Sequence, residues 1–155
     1  MSLVLTQSVP AGSSTGIRWY ELRGPNATPS IFQQGTYAPD AAYRWMGSAA
    51  MDKNGGIAIG YSTSSSTTFP SIRYAGRTAG DLAGTLTTGE GTMFAGGGSQ
   101  TGTLHRWGDY SSMSIDPADD CTFWFASEYL ASSGTFNWHT RIGHFTPPGC
   151  GTGGA

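Results

Sequence analysis

The sequence predicts an all-β domain built from repeated antiparallel sheets, and three observations carry that expectation. Glycine is abundant at 24 residues, serine and threonine are frequent, and between them lie short blocks carrying Trp, Tyr and Phe. Such a composition suits many short strands joined by turns. No stretch has the 3.6-residue periodicity of a long amphipathic helix. Finally, the chain repeats itself: Arg44-Trp45 and Arg106-Trp107 open two copies of one pattern, 62 positions apart.

Strands are expected at Leu3–Ser8, Gly16–Arg23, Ser30–Tyr37, Met46–Asp52, Gly56–Ser62, Ser71–Arg77, Gly91–Ala95, Ser111–Asp116, Cys121–Tyr129 and Phe136–Phe145. Glycine, proline or Ser/Thr clusters punctuate most of the intervals. Pro39 to Tyr43 tolerates about one helical turn. Gly96-Gly97-Gly98 reads as a flexible loop, and Gly151–Ala155 as a tail or the start of a linker.

In each copy of the repeat a strand of small residues follows Arg-Trp and ends in Asp52 or Asp116. A polar turn then leads into an apolar strand, Ile57–Ser62 or Thr122–Ser127. A third strand follows a Ser/Thr-rich loop: Pro70–Tyr74 in one copy, Trp138–Ile142 in the other. Gly, Ser and Ala suit the crowded innermost strand of a β-propeller blade. The expected architecture is therefore two to three four-stranded blades within residues 1–150, at about 16–37, 44–95 and 106–145. The third lacks its outer strand. Leu3–Ser8 either supplies it or is the second strand of the first blade.

Cys121 would begin a strand at the lower end of the third blade, and Cys150 would follow the neighbouring strand to the same end. Adjacent strands bring such residues within bridging distance, so one disulfide is expected. In a loop of this size it is worth roughly 3–4 kcal/mol in the chain-entropy model. Disulfide usage points to a secreted or cell-surface protein. Met1–Pro10 has no basic stretch followed by an apolar core, which places any export signal upstream of Met1. The formal charge of −2 provides no basic footprint for nucleic acid or anionic membrane, and no apolar run reaches spanning length.

The strings Arg106-Trp107-Gly108-Asp109-Tyr110-Ser111-Ser112-Met113-Ser114-Ile115-Asp116 and Cys121-Thr122-Phe123-Trp124-Phe125 resemble the C-terminal part of large exported bacterial proteins with sialidase-like propellers. Ala50–Ala58 is similar to the same family, and the resemblance covers roughly residues 16–150. The turns after Asp52 and Asp116 resemble degenerate Asp-boxes, Ser-x-Asp-x-Gly-x-Thr-Trp. Ser114, Asp116, Thr122, Phe123 and Trp124 follow that pattern with extra residues inserted; Asp52 and Gly55 follow it in the other copy. The resemblance implies a folding role for these turns. The arginine triad and Tyr–Glu pair of sialidases have no counterparts here, so no sialidase activity carries over. A propeller needs at least four blades. Either the chain belongs to a longer propeller, or copies self-associate to complete the ring.

Arg44-Trp45 and Arg106-Trp107 enter the innermost strands from the upper face. There Arg can clamp an anion and Trp can stack on a sugar; equally, Trp can pack between blades while Arg pairs with Asp. Asp109 and Tyr110 stand where the first copy has Gly47 and Ser48, a break in the repeat that marks a candidate ligand site with Arg44, Trp45, Arg106 and Trp107. His105, Asp109, Glu128 and His139 all map to the upper end and would form a metal or acid–base site if they converge, with calcium or zinc as the metal. Asp116, Asp119 and Asp120 read as an Asx-rich turn or a calcium loop. No nucleophile elbow or phosphate-binding loop is present. Two functions follow: a binding or structural module with carbohydrate as its candidate ligand, or a metal-assisted hydrolase of ester, phosphoester or glycosidic bonds.

Overall fold

The computed structural model describes residues 1–103 and 105–150; the expected tail at 151–155 lies outside them. Ten strands form and, among the described residues, no helix: β1 (Ser2–Ala11), β2 (Ser14–Arg23), β3 (Ser30–Tyr37), β4 (Tyr43–Met51), β5 (Ile57–Ser64), β6 (Ser71–Arg77), β7 (Glu90–Phe94), β8 (Ser112–Ile115), β9 (Phe123–Leu130) and β10 (Trp138–Phe145). Each expected strand appears. Pro39–Tyr43 is not helical: it bends, with the Ala42 N–H donating to Asp40 Oδ1 at 2.8 Å. Two short-range demands compete there, and the Asx turn satisfies the backbone without a helical nucleus.

The strands pair as three antiparallel sheets, β1-β2-β3, β4-β5-β6-β7 and β8-β9-β10. The first two strands make a tight hairpin through Gly12-Ser13, with Gly12 at a φ of 63°. β1 pairs with β2 over its whole length, so it belongs to the first sheet and does not complete the third.

The second sheet lies between the other two, and β5 shows why. Its residues Ile57 to Thr63 are all buried, a continuous run where a one-sided strand would alternate. Ile57, Ile59 and Tyr61 pack with Ile17, Trp19 and Ala75 towards the first sheet. Ala58 packs with Ile72, Met113, Phe123 and Phe125 towards the third. Size complementarity sets the spacing: Gly60 faces Phe125 so closely that a Cβ there would sit 2.6 Å from its ring.

Hydrogen bonds across the stack fix strand direction. Met46 N–H donates to Ser8 Oγ at 3.3 Å, Thr6 Oγ1 to the Gly47 carbonyl at 2.7 Å, and Met113 N–H to Ser48 Oγ at 3.0 Å. β4 and β8 therefore run together from an upper end, near Tyr43, to a lower end, near Met51, while β1 runs the opposite way. A bulge interrupts β4 between Trp45 and Ser48, and Met46 adopts a φ of 51° there. A non-glycine residue in that region costs of order 1–3 kcal/mol and persists only where its surroundings hold it.

At the lower end the two aspartate turns meet. Asp52 Oδ1 accepts the N–H groups of Asn54 and Gly56, each at 2.8 Å. Asp119 Oδ1 accepts those of Cys121 and Thr122, at 2.8 and 2.9 Å, while Asp116 Oδ1 accepts that of Ala118 and Oδ2 the Trp124 indole N–H. The Asp119 carboxyl is held below its usual range, chiefly by the Thr122 hydroxyl and then by these N–H groups. These carboxylates are spent on their own backbone, as in Asx turns. The Lys53 N–H joins the turns by donating to the Asp120 carbonyl at 2.9 Å. Cys121 and Cys150 form a disulfide beside them, with Cα atoms 5.7 Å apart. Such a bond is consistent with an extracellular protein.

Candidate functional site: an aromatic pocket at the upper end of the third sheet

β8 is only four residues long, against nine in β4. The segment that would have extended it upward, Arg106–Ser111, leaves the sheet and forms a loop. Gly108 turns that loop at a φ of 62°, where a Cβ would strike the Met46 side chain. The Gly108 N–H donates to Glu128 Oε1 at 2.8 Å, and the Ser111 hydroxyl donates to the Met46 carbonyl at 3.2 Å. The strained bulge of β4 is thus the support of the loop.

Between this loop and β10 lies a pocket of about 310 Å³, lined by Arg106, Trp107, Gly108, Asp109, Tyr110, Glu128, Phe136 and Trp138. Four aromatic side chains surround it. Tyr110 is 95% exposed and Phe136 69%. Trp107 and Trp138 are half-buried and fixed: Trp107 Nε1–H donates to Ser62 Oγ at 3.0 Å and its ring meets Trp45 edge-on at 6.0 Å. Trp138 Nε1–H donates to Gln100 Oε1 at 3.3 Å, and Phe136 stands edge-on to it at 5.5 Å. Arg106 forms an ion pair with Asp109 at the rim.

Gly96-Gly97-Gly98 backs this wall and is not a free loop. The Gly97 N–H donates to the Leu130 carbonyl at 2.8 Å, and a Cβ on Gly97 or Gly98 would collide with the backbone of residues 131–133. Glycine is required there because two backbones touch.

Of the expected site residues, the structure brings together Arg106, Trp107, Asp109, Tyr110 and Glu128. Trp45 reaches the site only through the Trp107 ring. Arg44 is elsewhere: its guanidinium is fully buried towards the first sheet, bonded to Asp40 at 2.8 and 3.1 Å and to Glu90 at 2.8 Å. Tyr61 donates to the same Glu90 at 2.7 Å, and Arg73 pairs with it too. Burial raises the Glu90 pKa, but the hydrogen bonds from Arg44, Tyr61 and Arg73 outweigh it and hold the carboxyl below its usual range. Asp40 is lowered to about 2, first by the Arg44 hydrogen bond and then by the Ala42 N–H.

The histidines do not converge with the carboxylates. In the β9–β10 register Thr140 opposes Glu128 and His139 opposes Tyr129, so His139 and Glu128 sit on opposite faces. Tyr129 packs on Phe94 of the second sheet at 4.2 Å, which sets the direction of that face. His105 is exposed and does not line the pocket. Among the described residues, the one cluster of metal-ligand types is Asp52 with Cys121 and Cys150. Its two sulfurs are bonded to each other, so it offers no thiolate.

Phe136 and Trp138 are the members that sequence reasoning missed. They were legible only as the start of a strand, although an aromatic pair flanking Asn137 just after a glycine-containing turn is a signal of an exposed platform. The site is thus an open, aromatic-walled pocket with one cationic and two carboxylate groups on an all-β frame. In comparisons with known proteins, no family model, no curated protein and no solved structure matches the chain.

Proposed function

We propose that the three sheets are consecutive blades of a sialidase-like propeller and that the chain is the binding module of a secreted or surface protein, taking carbohydrate in the pocket of Trp107, Tyr110, Phe136 and Trp138. The observation that carries this reading is the wall itself. Four aromatic rings, two locked by indole hydrogen bonds, face one opening whose polar groups are Arg106, Asp109 and Glu128. Sugar rings have apolar faces that stack on aromatics and hydroxyls that exchange hydrogen bonds with Arg and carboxylates. The second sheet supplies the full blade; the third lacks a counterpart of β7.

A glycan array followed by titration tests the assignment. Phe136→Ala and Tyr110→Ala, both at exposed positions, are expected to weaken binding about tenfold or more while leaving the melting temperature unchanged. An array without binders, joined to chelator-sensitive turnover of an ester, phosphoester or glycoside that Asp109→Ala removes, would put the hydrolase in its place. Asp109 and Glu128 already serve Arg106 and the Gly108 N–H, which favours the binding role.

A further inference from the structure

Both end sheets of the stack leave an apolar face uncovered. In the first sheet Val4, Ile17 and Trp19 point inward, so Leu3, Leu5, Tyr20, Leu22 and Ile31 share the outer face. Leu3 pairs with Leu22, Leu22 with Ile31, and Leu5 with Tyr20, making one contiguous patch in which Ile31 is 54% exposed. In the third sheet Phe123 and Phe125 point inward. Trp124, Ala126, Ile142 and His144 therefore face out, with Ile142 64% exposed. Contiguous apolar faces left on a domain surface mark interaction surfaces.

Three features say what covers them. The patches match in height: Leu3, Leu22 and Ile31 lie at the lower end of the first sheet, and Trp124 lies at the lower end of the third. The charges match in height and oppose in sign. Arg18, one row above Tyr20, bonds only to the neutral groups of Gln34 and Thr36. Glu128, in the upper half of the third sheet, bonds only to the Gly108 N–H. Among the described residues, neither forms an ion pair. Lastly, the outer face of the third sheet is the same face by which the second sheet packs on the third: Trp124 and Ala126 continue the parity of Ala58 and Gly60. A further sheet docking there repeats a contact that the chain already makes.

We infer that a second copy of this chain covers both faces, head to tail, the third sheet of each copy packing on the first sheet of the other. Two copies make a ring of six sheets, with Arg18 of one facing Glu128 at the pocket wall of the other. Rings of this kind hold four to eight sheets, and three sheets per copy reach that range only as a dimer. The contact joins unlike faces and closes because the rotation closes. The ring size rests on the propeller reading above; the paired faces do not depend on what the pocket binds.

Light scattering on the intact chain tests it. The expected mass is twice the 16.2 kDa of one chain, and a monomer mass at about 100 µM overturns the inference. Ile142→Lys and Ile31→Lys block one face each at exposed positions. Each variant alone is expected to be a monomer with an unchanged melting temperature. Their equimolar mixture is expected to pair more weakly than the wild type, through the one contact left intact, the third-sheet face of one and the first-sheet face of the other. A variant that stays dimeric alone shows docking of like faces and overturns head-to-tail stacking. Arg18→Glu is expected to weaken the dimer at least about tenfold. Glycan titration of the monomeric variants is read separately, so a failed ring and a failed pocket give different results.

Discussion

The same dipeptide, Arg-Trp, occupies two sites in this molecule with opposite fates. At Arg44-Trp45 the strand continues through a bulge, the guanidinium is buried, and Asp40 and Glu90 surround it. At Arg106-Trp107 the strand is abandoned, and the guanidinium lies at the surface against Asp109. In the first copy Trp45 faces the third sheet, whereas in the second Trp107 faces back to meet it. What differs is the length of the segment that follows. Arg44 stands eight residues before Asp52 and Arg106 ten before Asp116. In the strand registers Ser112 takes the place of Ser48, so the second copy carries two extra residues ahead of its strand. One pattern can therefore give a buried clamp in one copy and an exposed loop in the other, through an insertion of two residues.

The largest expected effect breaks the first copy. Arg44→Ala removes the buried member of the pair, leaves the half-buried Glu90 with Tyr61 and Arg73 alone, and should cost about 3–5 kcal/mol in denaturant unfolding. If the loss is under about 1 kcal/mol, the clamp reading of that copy fails. Next comes the disulfide: Cys121→Ser with Cys150→Ser should lower stability by about 2–4 kcal/mol. Comparable melting temperatures with and without reductant would contradict this.

Acid sharpens the comparison. Asp40 titrates at about 2 in the folded chain and nearer 4 when unfolded, and Glu90 is displaced the same way. Depressed carboxyls contribute stability that is complete above the unfolded value and lost as pH falls through the folded one. Between about pH 5 and about pH 2 the wild type should lose more stability than Arg44→Ala, whose carboxyls are released from the guanidinium. Equal slopes in the two thermal titrations would locate the acid sensitivity elsewhere. The smallest effect belongs to the second copy: Arg106→Ala should change stability by no more than about 0.5 kcal/mol, because its ion pair is exposed. A larger change would mean that the loop, too, holds the fold together.

Much of the fold was legible because its punctuation is chemical. Gly12, Gly24 and Gly55 stand at positive φ between strands, and the apolar run Ile57–Ser62 read as a strand, although its burial on both faces shows only in the stack. The start of β4 was read three residues late, since Arg44 looked like a ligand clamp at a strand mouth. Its burial depends on Glu90, 46 residues away, which no local pattern reports. The site was half visible. Asp109 and Tyr110 announced themselves by breaking the repeat, while Phe136 and Trp138 hid as strand residues. His139 was grouped with Glu128 because both are upper-end residues; the two-residue period of β10 separates them, and its phase is set by the β9–β10 register.

The bond between Cys121 and Cys150 changes how the domain would respond to tension. A pull applied to the chain beyond Cys150 enters the fold through the sulfur bridge at Cys121, just before β9. The covalent loop between the two cysteines encloses both β9 and β10, so neither carries the load along its own backbone. β10, an edge strand that a pull could otherwise peel away one hydrogen bond at a time, is slack under force. The strain falls instead on the lower turns, where the Lys53 N–H and the Asp120 carbonyl join the second sheet to the third.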